Sequence, residues 1–191
     1  TRLMRHLVET DLAPVTLVTG EPAAGKTSLL VHLRESAIHG REVAWLTVPP
    51  RIVEDTTFWE YLLVSMAGFE MRVDDLRAAL LDSEPPGESW LATLANRLGR
   101  VHGHPIIVID DLHEVESAEV LQAFERLLEM APAGVSFVIA TRRRPPWSLA
   151  SWRLSGRMVE ISSDDLRVTG DEARQLLAAR GVELDDASVE V

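Results

Sequence analysis

The chain contains no cysteine. Disulfide staples, thiolate nucleophiles and thiolate metal sites are therefore excluded, and a cytoplasmic location is the expectation. Positive charge is scarce. The 19 Lys and Arg residues stand against 30 Asp and Glu, a net of 19 − 30 = −11. A surface that grips nucleic acid needs a basic face to displace counterions, so no direct DNA contact by this segment is expected. No apolar run approaches the roughly 20 residues that span a bilayer, and no membrane contact is expected. No signal peptide opens the chain and Thr1 is not a natural start, so the sequence reads as a segment cut from a longer protein at both ends. Internal repeats, heptads and low-complexity tracts are also missing.

What remains is 191 residues that are 46% apolar, enough for one α/β core and the start of a second unit. Leu3 to Val8 reads as a lead-in helix. Strands are predicted at Val15–Thr19, Val43–Val48, Ile106–Ile109, Val135–Ala140 and Met158–Ile161. Helices are predicted from the end of the first strand to about Ile38, stopped by Gly40, and around Thr57–Leu63, Asp74–Leu81, Ser89–Val101 and Ala118–Met130. Ser83–Gly87 reads as a loop. Thr169-Gly170-Asp171-Glu172 resembles a capping box that opens one more helix. Alternating strands and helices indicate a parallel sheet with helices on both faces. Residues 1–165 form the expected nucleotide-binding unit and residues 166–191 the beginning of a helical one.

Immediately after the first strand comes Gly20-Glu21-Pro22-Ala23-Ala24-Gly25-Lys26-Thr27, the pattern G-x-x-x-x-G-K-T of a phosphate-binding P-loop. A triphosphate needs several N–H donors converging on its oxygens, so the backbone must wrap closely around it, and Gly20 and Gly25 permit that path. Lys26 supplies charge for the outer phosphates, and the Thr27 hydroxyl suits Mg²⁺. The helix that starts here, with Ser28 next in line, adds its N-terminus to the anion site.

A second element is Ile106-Ile107-Val108-Ile109-Asp110-Asp111, an apolar strand ending in two carboxylates. This is the Walker B pattern. Asp110 suits Mg²⁺, and Asp111, one residue further, suits a base or water-orienting role. The third element is Thr141-Arg142-Arg143-Arg144, beyond the carboxyl end of the fourth strand, where open α/β sheets bind their ligands. Arg142 is the candidate sensor of the terminal phosphate. Arg143 and Arg144 are expected to be solvated or paired with acids. The histidines at 32, 39, 102, 104 and 113 show no metal-ligand spacing, and His113, although next to the acidic pair, reads as an ordinary polar residue. Trp45, Phe58, Trp59 and Tyr61 read as packing rather than as a base-stacking platform, because no basic residues interleave with them.

Beyond these motifs, several phrases carry a family resemblance. They are Val43-Ala44-Trp45-Leu46-Thr47, Phe58-Trp59-Glu60-Tyr61-Leu62-Leu63, Val108-Ile109-Asp110-Asp111-Leu112-His113, Ile139-Ala140-Thr141-Arg142 with Pro145-Pro146-Trp147, and the tail Glu160-Ile161 to Asp165-Leu166-Arg167-Val168-Thr169. Together they resemble the nucleotide-binding domain of large LuxR-type transcriptional regulators similar to the maltose-regulon activator, within the STAND class of signal-transduction ATPases. The resemblance covers nearly the whole chain. It implies a P-loop NTPase of the ASCE type with sheet order 5-1-4-3-2, which would bring Arg142 beside the P-loop. It implies an ATP/ADP switch with slow Mg²⁺-dependent hydrolysis. ADP would hold a closed monomer, and an inducer acting elsewhere would promote exchange, self-association in the ATP state and DNA binding through a helix-turn-helix domain outside this chain. Adenine rather than guanine also follows from the resemblance, beside the absence of an Asn/Thr-Lys-x-Asp motif. Two places depart from the family. Glu21-Pro22-Ala23-Ala24 replaces a Pro-Ala-Gly-Tyr or Pro-Ala-Gly-Phe filling, which removes an inner glycine and stiffens the loop, and Leu112 replaces an aromatic residue.

Three other classes remain in view. A small-molecule P-loop kinase needs lid arginines and an acceptor pocket, and neither is evident. A non-catalytic ADP-binding interaction module fits less well with intact Asp110 and Asp111. An AAA-type ring motor needs a trans-acting arginine finger and a second sensor helix, which are not evident in the sequence.

Overall fold

In the computed structural model, which describes residues 12–37, 41–50, 55–80 and 86–167, the apolar runs lie side by side as one parallel sheet. Strands β1 (Val15–Thr19), β2 (Val43–Thr47), β3 (Ile106–Asp110), β4 (Ser136–Thr141) and β5 (Met158–Ile161) are arranged in the order β2-β3-β4-β1-β5. Read from the other edge this is 5-1-4-3-2, the order that the resemblance implies. Sequence pattern and position agree. The interior strands β3 and β4 are buried at every residue, as continuous apolar runs require, whereas edge strand β2 alternates and leaves Thr47 exposed.

Six helices and a 3₁₀ turn connect the strands, with a short α7 after β5. They are α1 (Lys26–Ala37), α2 (Asp55–Ser65), α3 (Asp74–Leu80), α4 (Glu88–Leu98), the 3₁₀ turn Leu112–Glu114, α5 (Ala118–Met130), α6 (Leu149–Leu154) and α7 (Ser163–Leu166). Because side chains alternate along a strand, the sheet has two apolar faces. One carries Leu17, Ile107, Ile109, Phe137 and Ile139 under α2 to α6. The other carries Val18, Val108, Val138 and Ala140 under Leu29, Leu30 and Leu33 of α1. In α5, Ser117 caps the first turn by accepting from the Val120 N–H at 3.3 Å, and Val120, Phe124, Leu127 and Leu128 form the buried stripe, with Leu121 partly buried beside them.

Phe124 is the hub of that face. It is fully buried and meets Phe58, Phe137 and Trp147 with ring centroids 5.4, 6.1 and 5.9 Å away. Trp59 joins through Phe58 at 5.2 Å and Trp90 at 5.4 Å, both edge-on. Tyr61 does not belong to this group. It is 44% exposed, because at about 100° per residue the stripe of Phe58, Trp59, Leu62 and Leu63 turns it outward. Trp45 is only partly buried and packs on the opposite face, its indole N–H donating to Thr47 Oγ1 at 3.0 Å.

The strand and helix expectations hold to within a few residues at their ends. Helices α6 and α7 and the 3₁₀ turn have no counterpart among the expected elements. The lead-in helix, the Gly40 stop, residues 83–85 of the expected loop, the capping box at Thr169 and the helical unit beyond residue 167 lie outside the described residues.

The sheet aligns its chemistry. Residue partners along β1 and β4 end at Thr19↔Thr141, and those along β2 and β3 end at Thr47↔Asp110, so the P-loop, the acidic pair and the arginines all leave from the carboxyl end of the sheet. Removing the hub tests how far this end relies on the core. Phe124→Ala should destabilise the fold by about 3–5 kcal/mol, read as a lowered midpoint in chemical denaturation. A loss below about 1 kcal/mol would show that the face repacks without it.

Candidate functional site

The turn after β1 is tied to the neighbouring strand, since the Gly20 N–H donates to the Thr141 carbonyl at 3.3 Å. A glycine suits the close approach here. A Cβ on Gly20 would lie 2.8 Å from Ser163 Oγ of α7 and 3.1 Å from the Ala24 methyl. The loop then curls back on Lys26, whose ammonium donates to the carbonyls of Gly20 at 2.8 Å and Glu21 at 2.9 Å. Gly25, at φ 88°, occupies the left-handed region that residues with a side chain rarely adopt, and its carbonyl accepts from the Leu29 N–H at 2.9 Å to begin α1. Lys26 is the one lysine of the chain, a signal the sequence reading passed over. Every other basic side chain, histidine aside, is an arginine. A compact ammonium with three donors suits a loop whose carbonyls and anionic ligand share the same charge.

Thr27 joins this loop to β3. Its hydroxyl donates to Asp110 Oδ2 at 2.9 Å, while Oδ1 of the same carboxylate accepts from the Asp111 N–H at 3.0 Å. The two side chains expected to hold Mg²⁺ are therefore in direct contact. Asp110 is 2% exposed. Burial raises its pKa above the ordinary carboxylate range, against the stabilising Thr27 hydrogen bond, and the nearby Asp111 charge adds to the rise. A buried, partly compensated carboxylate beside a hydroxyl is an oxygen donor set that a hard divalent cation fits.

Asp111 follows at φ 60°, a left-handed turn that lifts its carboxylate, 37% exposed, out of the strand line. It lines a cleft of about 250 Å³ together with Pro22, Ala23, Gly25, Lys26, Thr27, Ser28 and Arg142. Of the three consecutive arginines only Arg142 lines this cleft. Arg143 lines a neighbouring cavity with His113 and Glu116, and Arg144 pairs with Glu160 at 3.0 Å. Gly20, Glu21 and Ala24 frame the loop without lining the cleft. Larger cavities exist elsewhere, including one of about 400 Å³ between α3 and α4 around the Asp75–Arg97 pair, in which Arg97 holds Asp75 well below its usual range. That pair is exposed and its charges satisfy each other. Among the described residues, the 250 Å³ cleft brings together a lysine, an arginine, the Thr27 and Ser28 hydroxyls and the Asp111 carboxylate, with Asp110 buried behind Thr27.

His113 is the residue that sequence reasoning underrated. The 3₁₀ turn folds its ring inward to 5% exposure, with Nδ1 3.7 Å from Asp111 Oδ1 and Nε2 3.3 Å from Glu114 Oε1. Neither ring nitrogen completes a hydrogen bond. Burial, followed by the Arg142 charge, lowers its pKa, against the pull of Asp111 and Glu114. Its place two residues after Asp111 was visible, but its burial depends on the turn.

Among the described residues no group of three or more His, Cys, Asp or Glu is arranged to hold a metal by itself, so a cation here would rely on Thr27 and Asp110 together with its ligand. No helix of the described residues is long and apolar enough to cross a membrane.

Comparison with known proteins bears on the family and the fold. The model of a family described as the AAA domain matches residues 9–144. The HTH-type transcriptional regulator MalT of Klebsiella pneumoniae is 25% identical over 198 residues, covering 98% of this chain and 21% of that protein, and a second strain gives the same figures. The chain thus spans about a fifth of the length of the curated relatives it matches. Among solved structures, Cdc6p from Pyrobaculum aerophilum superposes with a TM-score of 0.52 at 17% identity, over 96% of this chain and 48% of that one. A chain of the Drosophila ORC bound to AT-rich DNA and Cdc6 gives 0.52 at 13% identity, over 85% and 51%. At these identities the likeness is one of fold.

The environment of Asp110 makes a prediction with a definite sign. A carboxylate whose pKa is raised by folding opposes the folded state once it ionises, so the opposition grows as pH rises above the ordinary carboxylate range. Without divalent cations, Asp110→Asn should therefore melt no lower than the parent at pH 4 and gain on it towards pH 7, in thermal melts followed by circular dichroism. A variant that loses ground as pH rises would show that the ionised carboxylate is stabilised by the fold.

Proposed function

The chain belongs to the AAA domain family, and from that membership we propose that it is an ATP/ADP-binding switch domain with slow Mg²⁺-dependent ATP hydrolysis, working within a cytoplasmic transcriptional regulator. The observation that carries the reading is the Thr27–Asp110 hydrogen bond at the floor of a cleft that also presents Lys26, Asp111 and Arg142.

Each residue has a role set by its place. Lys26 and the loop amides from Pro22 to Ser28 bind the outer phosphates, and the first turn of α1 adds its N-terminal field. Thr27 and Asp110 would hold the cation, which would supply Lewis-acid neutralisation of charge developing on the phosphate. Asp111, half-exposed on its left-handed turn, orients the attacking water and accepts its proton. His113 packs beside the Asp111 carboxylate, its Nδ1 3.7 Å from Oδ1. Arg142 contacts the terminal phosphate from the end of β4 and so distinguishes ATP from ADP. Catalysis of this kind is positioning and charge stabilisation, with little covalent work for the protein.

The wider reading rests on the resemblance and on the 25% identity with MalT. In it, residues from 166 onward begin a following helical unit, an inducer acts on another part of the polypeptide, ATP favours self-association, and DNA is bound by a domain outside this chain. The net charge of −11 is consistent with that division of labour.

Two substitutions test the site. Lys26→Ala should weaken ATP and ADP binding at least about a hundredfold in calorimetry, the scale of losing a charge-assisted phosphate contact, and unchanged affinity would refute the cleft. Asp111→Ala should bind ATP as the parent does while phosphate release falls by about 10² or more. Equal release from both would remove Asp111 from the mechanism, and a parent that binds without any turnover would make the domain a non-catalytic ADP-binding module.

A further inference from the structure

Three non-glycine residues among those described have positive φ: Ala23 at 63°, His104 at 54° and Asp111 at 60°. Two of the three line the proposed nucleotide cleft. They differ in how the conformation is supported. Asp111 has a short polar side chain of the kind that tolerates the left-handed region, and its N–H and C=O are both used, donating to Asp110 Oδ1 and accepting from Glu114, each at 3.0 Å. Ala23 has no such aid.

The Ala24 N–H donates to the Glu21 carbonyl at 3.2 Å, closing a four-residue turn with Pro22 and Ala23 at its centre. Proline cannot adopt positive φ, which removes the two primed types. Positive φ at the third position removes type I. A type II turn remains, in which proline is favoured second and glycine or asparagine belongs third. An alanine occupies that third place. The turn is exposed, and the hydrogen bond from Ala24 closes it within the loop. Left-handed φ at 23 and at 25, on either side of Ala24, is the alternation that turns successive N–H groups towards one anion.

We propose that Ala23 sets how tightly this cradle holds its nucleotide, by making the phosphate-binding form of the loop less populated than glycine would. The proposal rests on the cleft being the nucleotide site. Alanine disfavours the left-handed region and glycine does not, and an exposed turn is free to relax when no phosphate holds it. Apparent affinity then falls in proportion to the fraction of loop that is binding-competent. The consequence is a switch biased towards release and exchange of its nucleotide.

The test uses the full chain with Mg²⁺ and ADP, measuring the dissociation constant by calorimetry and the release rate with a fluorescent ADP analogue. Ala23→Gly should tighten binding about three- to tenfold, chiefly through slower release. Ala23→Asn, which also accepts positive φ, should recover part of that gain. Ala24→Gly, at a residue outside the left-handed region, should loosen binding, because it adds only flexibility. An unchanged or weaker affinity for Ala23→Gly overturns the proposal, even if its melting temperature rises, since the strain would then be carried equally with and without nucleotide. Equal tightening by Ala24→Gly overturns it as well, by making flexibility the cause. Failure of the parent itself to bind ADP or ATP removes the nucleotide site and the proposal together.

Discussion

The side-chain hydrogen bond from the Thr27 hydroxyl to the Asp110 carboxylate ties the phosphate loop to β3, beside the backbone bond from Gly20 to Thr141 of β4. It joins the first turn of α1 to the end of β3 although 83 residues separate them in sequence. The rest of the site depends on that constraint. With Thr27 fixed, Lys26 is turned back under its own loop. Asp111 follows Asp110 on a left-handed turn, and the 3₁₀ segment carrying His113 comes next. The parallel register sets the same end of the sheet from below, because Thr19 and Thr141 are partners at the ends of adjacent strands.

The bond also explains why a buried acid is tolerated. Asp110 sits at the end of a strand with no exposed residue, where an unpaired carboxylate is costly. Thr27 and the Asp111 N–H each satisfy one of its oxygens, and burial still leaves the charged form disfavoured. A site arranged in this way gains from an arriving cation. In the proposed switch, such a ligand would complete the electrostatics that the fold leaves unfinished.

Much of this was legible in the residues. The P-loop declared itself by spacing, and Ile106–Ile109 declared a doubly covered strand by having no polar residue. Arg142 was separated from Arg143 and Arg144 by its distance from the strand end, and the structure keeps that order. The sheet order came from the family resemblance, since periodicity does not say which strands are neighbours. What escaped was whatever depended on rotation or on turns. Tyr61 looks like its aromatic neighbours until the helix phase is known. Helix α6 has six residues after a pair of prolines, too short for a periodic signal. His113 is polar in any reading of the sequence and becomes part of the site only because the turn after Asp111 folds it under. Ala23 was seen as a missing glycine, and the structure shows the left-handed φ that a glycine would have supplied.

The most direct test is a crystal structure of the chain with Mg²⁺ and a non-hydrolysable ATP analogue. The account predicts the metal bound to Thr27 Oγ1, with Asp110 reaching it directly or through one water, and Arg142 turned to the terminal phosphate. Metal and phosphates lying away from this loop, with the Thr27–Asp110 bond undisturbed, would contradict it.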